Sequence, residues 1–163
     1  MKDFFRILML TVVSLVTFSC TEDEVVEQSL EVTTHNLHGQ WKLAEINGMT
    51  VPEETYVYID FDRKGTYKMY QKQDSQYTRY ITGNYSVTED AFLGYILSGN
   101  YDMKGDWNHD YIVTDLMKEG TMTWTVRDDK ADNKEDLEVQ KFVRVDEIPA
   151  DVLDAGRYDE EEE

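Results

Sequence analysis

Between Gly39 and Val145 apolar and polar side chains trade places at nearly every second position, in short runs broken by turn-forming residues. A side-chain period of two belongs to strands with one face in a core, and a 3.6-residue helical period cannot be laid over it. "YVYIDFD" sets Val57, Ile59 and Phe61 on one face and Tyr56, Tyr58 and Asp60 on the other; "TYKMYQ" repeats the pattern with Tyr67 and Met69. "YITGNYSV" aligns Ile81, Gly83, Tyr85 and Val87, with the glycine placed to relieve crowding at a bend. "GQWKLAEI" alternates Trp41 and Leu43 against Lys42 and runs into Asn47-Gly48, a strong hairpin dipeptide, while Gly65 in "RKG" serves a tight turn. "YIVTDL" and "TMTWTV" predict a hairpin around Lys118, Glu119 and Gly120, with Met122, Trp124 and Val126 on one face. "FLGYILSGNYD" is apolar on both faces, as a fully covered strand or a strand with a bulge would be, and "LEVQKFVRV" is the last strand.

These runs amount to about eight strands with short links and no amphipathic helix between them. Sequential antiparallel strands leave two exposed edges, and closing the sheet removes both. The expected fold is therefore all-β, an antiparallel up-and-down barrel, and 163 residues leave room for one such domain.

Ahead of the barrel, Lys2 and Arg6 precede an uncharged run from Ile7 to Phe18, with Ser19 before the only cysteine, Cys20. This is the layout of a signal peptide, and the run is shorter than the ~20 residues a spanning helix needs. "VTFSC" resembles the lipobox of bacterial lipoproteins, with Thr17 where the commonest box has Leu. That resemblance implies cleavage after residue 19 and acylation of Cys20, with palmitate-type chains inserting into the membrane. Several acyl chains at ~0.8 kcal/mol per buried CH2 give stable anchoring where one would not. Thr21 is followed by Glu22, Asp23 and Glu24, an acidic run that resembles the export signal of outer-membrane lipoproteins shown on the cell surface. The expected organisation is a lipoprotein leader over 1–19, an acidic tether over 20–36, the barrel over 37–146 and an acidic tail over 147–163, with localisation at the outer membrane.

The barrel segment resembles the bacterial lipocalin-like family over Leu37 to Val145. Gly39-Gln40-Trp41 matches the family's G-x-W on its first strand, and Arg144 stands near the end of the last strand, where the family places a basic residue across the Trp ring. Thr114-Asp115 falls where the family has T-D-Y, without the Tyr. The resemblance implies that Arg144 closes the barrel on Trp41 through a cation–π contact of ~0.5–2 kcal/mol. It also implies a site at the open end, with Tyr67, Met69, Tyr85 and Trp124 as candidate lumen residues. An eight-stranded barrel is either filled by its own side chains or just wide enough for one small ligand.

The formal charge of -18 repels nucleic-acid phosphates, so nucleic acid is not an expected partner. The chain contains no G-x-S-x-G, P-loop, G-x-G-x-x-G or H-E-x-x-H pattern, and lipidation of Cys20 removes its one thiol nucleophile. His35, His38 and His109 are too few and too scattered to predict a zinc site. The calcium-like start "NYDMKG" has Lys104 at a ligand position, and neither it nor the acidic "DDKADNKED" predicts bound metal. Strand propensity and half-buried surface account for most of the eleven tyrosines, whose ring and hydroxyl also suit a sugar, an amphipathic ligand or a protein interface. The expectation is a non-catalytic protein without cofactor that binds a small hydrophobic or amphipathic ligand. Its alternative is a solid barrel whose loops contact a partner protein or a surface glycan.

Overall fold

Alternation in the sequence becomes alternation across the barrel wall in the computed structural model, which describes residues 28–73, 75–102, 105–128 and 137–157. The leader, Cys20, the acidic segment 129–136, Lys104 and the terminal acidic block 158–163 lie outside these residues. The ring is built from β1 (Gly39–Ile46), β3 (Tyr56–Phe61), β4 (Thr66–Lys72), β5 (Arg79–Asp90), β6 (Gly94–Tyr101), β8 (Tyr111–Thr114), β9 (Thr121–Val126) and β10 (Val139–Val145). Each pairs antiparallel with its sequence neighbour in the ring, and β10 returns to β1, so the expected eight-stranded up-and-down barrel is what forms. Two-residue strands β2 (Met49–Thr50) and β7 (Gly105–Asp106) pair beside it on β1 and β6. Asn47 and Gly48 both take positive φ, 50° and 75°, which is the backbone that an Asn-Gly hairpin turn requires.

One core fills the interior. Trp41, Leu43, Val57, Ile59, Phe61, Tyr67, Tyr85, Leu97, Met122, Trp124 and Phe142 are buried in it, all from inward positions. Gly83 is needed because a Cβ there would run into the backbone of Asn100 and the ring of Tyr67. The two-faced segment is resolved by β6, where Ile96 and Leu97 are both buried.

Two flanking segments differ from expectation. The tether reading of 20–36 fails from Gln28 onward: Leu30 N donates to Leu116 O (2.7 Å), Ser29 bridges to Met117, and Val32 is buried. Thr33 then caps the short helix α1 (Thr34–Leu37) by accepting from Asn36 N at 3.2 Å. Leu37, with no exposed surface, enters the core cluster from this end. The polar composition of the segment hid two apolar residues, Leu30 and Val32, that the barrel end can bury.

Beyond the barrel, residues 147–157 are no free tail. Ile148 N donates to Gln40 Oε1 (2.8 Å), Pro149 opens α2 (Ala150–Arg157), and Ile148 and Val152 pack on the outer faces of Tyr58 and Tyr70. These four form a second buried cluster outside the ring, which explains why Tyr58 is buried although it points away from the lumen. Ile148 and Val152 lie four residues apart, a helical spacing that the surrounding charge obscures.

Trp41 and Arg144 face each other in the β1–β10 register. The guanidinium lies 4.4 Å from the indole centroid, and its two nitrogens donate to His38 O (2.7 Å) and Asn36 O (2.9 Å). Trp41 Nε1 donates to Leu37 O at 2.8 Å, so first strand, last strand and α1 are tied at one point. Gly39 and Gly120 flank the arginine closely enough that a Cβ on either would strike it. Burial lowers the Arg144 pKa without removing its charge at neutral pH. Arg144→Ala should therefore cost about 1–2 kcal/mol, the stack and part of two charge-assisted hydrogen bonds. Thermal unfolding measures it, and an unchanged midpoint would deny the closure role.

Candidate functional site

The two ends of the barrel are not alike. At the end sealed by α1, Phe61 meets Tyr85 edge-on at 4.6 Å and Tyr67 at 6.5 Å, and all three rings are buried. Tyr85 OH donates to Asp62 O (2.8 Å), and Tyr67 OH donates to Asn100 O (3.1 Å) while accepting from Trp107 Nε1 (2.8 Å). Burial pushes both phenols up to about 12, with the Asp62 charge adding to the rise at Tyr85. They are neutral structural groups at ordinary pH.

The other end holds a cavity of about 250 Å³. Its floor is Trp124, 2 % exposed, packed on Phe142 at 4.5 Å and on Tyr111 at 5.1 Å. Val57 and Ile59 of β3 and Met69 of β4 form the apolar side of the wall. The opposite side comes from the segment after β7: Trp107 turns inward, Asn108 and His109 stand at the rim, and β8 begins with Tyr111. Trp107 reaches this position because its amide donates to Gly99 O (2.8 Å) and Gly99 has no side chain; a Cβ there would collide with the indole. Gln71 and Gln73 at the end of β4, with Glu138 and Gln140 at the start of β10, complete the rim. Burial, with Tyr101 and Glu138 nearby, raises the Tyr111 phenol to about 12.

The four candidate lumen residues thus separate by depth. Met69 and Trp124 line the cavity; Tyr67 and Tyr85 lie below it among the filling side chains and do not line it. Trp41 is deeper still, under α1. Trp107, Asn108, Gln71, Gln73 and Gln140 carried no periodic signal that would mark them, because a strand pattern says which face a residue takes and not how deep it lies. Trp107 was the one visible clue, an indole stranded in a polar loop.

His109 sits at the open rim, whereas His35 and His38 belong to the sealed end, so the three do not converge. Among the described residues no three His, Cys, Asp or Glu side chains are grouped to hold a metal ion. A second hollow of about 310 Å³ lies at the sealed end against His38, Asp60, Asp62, Thr66 and Lys68, backed by Phe61 and Tyr67.

The chain was compared with known families, with curated proteins and with solved structures. The profile of one family, described as a lipocalin-like domain, matches residues 37–124, from the end of α1 to the tryptophan of the cavity floor. No curated protein and no solved structure matches the chain.

Proposed function

Because the chain belongs to the lipocalin-like domain family, whose barrels take small ligands, we propose that it is a non-catalytic binding protein of the outer membrane, anchored by acylated Cys20, that receives a small hydrophobic or amphipathic ligand at its open end. The observation that carries this reading is the uneven lumen: aromatic filling stops at Trp124 and Phe142, and above them a cavity of about 250 Å³ opens between β3, β4, β8, β9 and β10.

The position of the N-terminal segment agrees with anchoring. Gln28 O accepts from Lys118 N (3.0 Å) beside the turn between β8 and β9, at the sealed end. An anchor at Cys20 would join the described chain at the sealed end, on the side away from the mouth. Cys20→Ala should release the protein into the soluble fraction without acyl chains; retention of that variant in the membrane overturns the anchor.

Binding is tested by native mass spectrometry of protein purified from its host. The wild-type chain should carry a small molecule that Met69→Trp, which fills the cavity from β4, lacks while keeping a cooperative thermal transition. Absence of any added mass on the wild type, or an equal mass on the variant, would reject the mouth as the site.

A further inference from the structure

The wall of the mouth cavity sorts by what a ligand can touch. Val57, Ile59, Trp124 and Phe142 are buried to within a few per cent of completeness, so they give shape and little reachable surface. The half-buried and exposed groups are Gln71, Gln73, Gln140 and Asn108, the rings of Tyr101, Trp107 and Tyr111, and single Met69, His109 and Glu138 side chains. Primary amides are the most numerous type among them, and each offers both donors and an acceptor. From this geometry we propose that the group held in the mouth is a neutral saccharide ring. The proposal rests on the mouth being a ligand site and narrows what the amphipathic ligand is.

A sugar hydroxyl is donor and acceptor at once, so an amide fringe matches it in either sense. An acyl chain would strip water from the same amides without replacing their hydrogen bonds, at ~1–3 kcal/mol for each. Two of the amides are already oriented. Gln71 Nε2 donates to Gln73 Oε1 (2.5 Å) and Gln140 Nε2 donates to Glu138 Oε1 (2.6 Å), which turns the Gln71 and Gln140 Oε1 atoms away from those contacts. Such preorganisation lowers the ordering cost of a small polar ligand.

Charge and ring geometry exclude the other small-ligand classes. Among the described residues no lysine or arginine lines the cavity, Glu138 does, and the chain carries -18, so an anionic headgroup meets repulsion. A quaternary ammonium needs several open π faces around it. Here the rings are spent on one another: Trp124 against Phe142 at 4.5 Å and against Tyr111 at 5.1 Å, Trp107 edge-on to Tyr67 at 5.2 Å. What stays half-open is the Trp107–Tyr111 corner, with centroids 6.1 Å apart and planes at 72°, and the single ring of Tyr101. One aromatic corner beside hydroxyl-matching amides suits a pyranose, whose C–H face is apolar and whose edge is polar. The volume, equal to about eight waters at ~30 Å³ each, suits one ring or the end of a glycan better than a long tail.

The test is saturation-transfer NMR on the full chain with maltose, cellobiose and N,N′-diacetylchitobiose, and with glucuronate and tetramethylammonium as charged controls. At least one neutral sugar should receive saturation at its ring C–H protons, and neither control should. Gln71→Ala/Gln140→Ala should weaken that signal at least tenfold, and so should Asn108→Ala, which alters only an exposed loop position and keeps the test valid if the strand variant is unstable. Failure of all three sugars, or equal transfer to either control, overturns the saccharide assignment. If a copurifying non-sugar compound is present and lost in Met69→Trp, the binding role survives and the saccharide does not. If neither sugars nor any copurified compound bind, both readings fall together.

Discussion

Trp124→Ala should lower the thermal midpoint by about 10–20 °C and abolish ligand uptake at the mouth. The side chain is 2 % exposed and contacts Phe61, Trp107, Tyr111 and Phe142 at centroid distances from 4.5 to 6.2 Å. It also carries the Nε1 contact to Met122 Sδ at 3.3 Å. Removing a buried Trp costs about 3–5 kcal/mol, a large part of the ~5–15 kcal/mol that holds a domain folded. Trp124 faces Val113 on β8 and Gln140 on β10, so its loss opens the floor across three strands at once. Trp124→Phe keeps part of the ring and should lose less than half as much. Calorimetry of the three proteins decides it: equal midpoints for wild type and Trp124→Ala would mean that the aromatic floor does not support the barrel.

Alkali should unfold the protein steeply between pH 10 and pH 12. Tyr67, Tyr85 and Tyr111 each have a phenol raised by burial from 10.0 to about 12. The neutral form is the protonated one, so below pH 10 both folded and unfolded chains keep these protons and stability is unaffected. Above it the unfolded chain releases them while the folded chain retains them, and the equilibrium moves towards unfolding until the folded values are passed. Absorbance at 295 nm should show most tyrosines ionising first and a late step coinciding with the loss of far-ultraviolet strand signal. Tyr85→Phe should remove part of the pH dependence of the melting midpoint at pH 11. A midpoint as high at pH 11 as at pH 8 would contradict the burial of these three groups.

Both predictions concern residues whose faces could be read from the chain and whose depths could not. Alternation in "YVYIDFD" and "TMTWTV" names Ile59, Phe61, Met122 and Trp124 as inward, and they are. It cannot say that Tyr67 and Tyr85 fill the sealed end while Met69 and Trp124 face a cavity, because depth along a barrel axis depends on strand tilt and register. Nor does it reach Trp107, whose place in the lumen depends on Gly99, eight residues earlier on β6. The helix over Ala150–Arg157 escaped for a related reason. Its two anchoring residues, Ile148 and Val152, become legible only when Tyr58 and Tyr70 are known to lie side by side on the outer wall.

By itself, then, the chain determined its strands and their sequential antiparallel order, since these follow from a local period of two and from the need to leave no open edge, while the pairing of Trp41 with Arg144 was implied by the resemblance to the lipocalin-like family. Only the tertiary structure decided that the lumen is half full, that an amide fringe and an indole surround what space remains, and that both flanks pack on the barrel. The physical reason is that close packing and cavity shape are set by side chains from distant strands meeting at one height, a relation that no stretch of consecutive residues encodes.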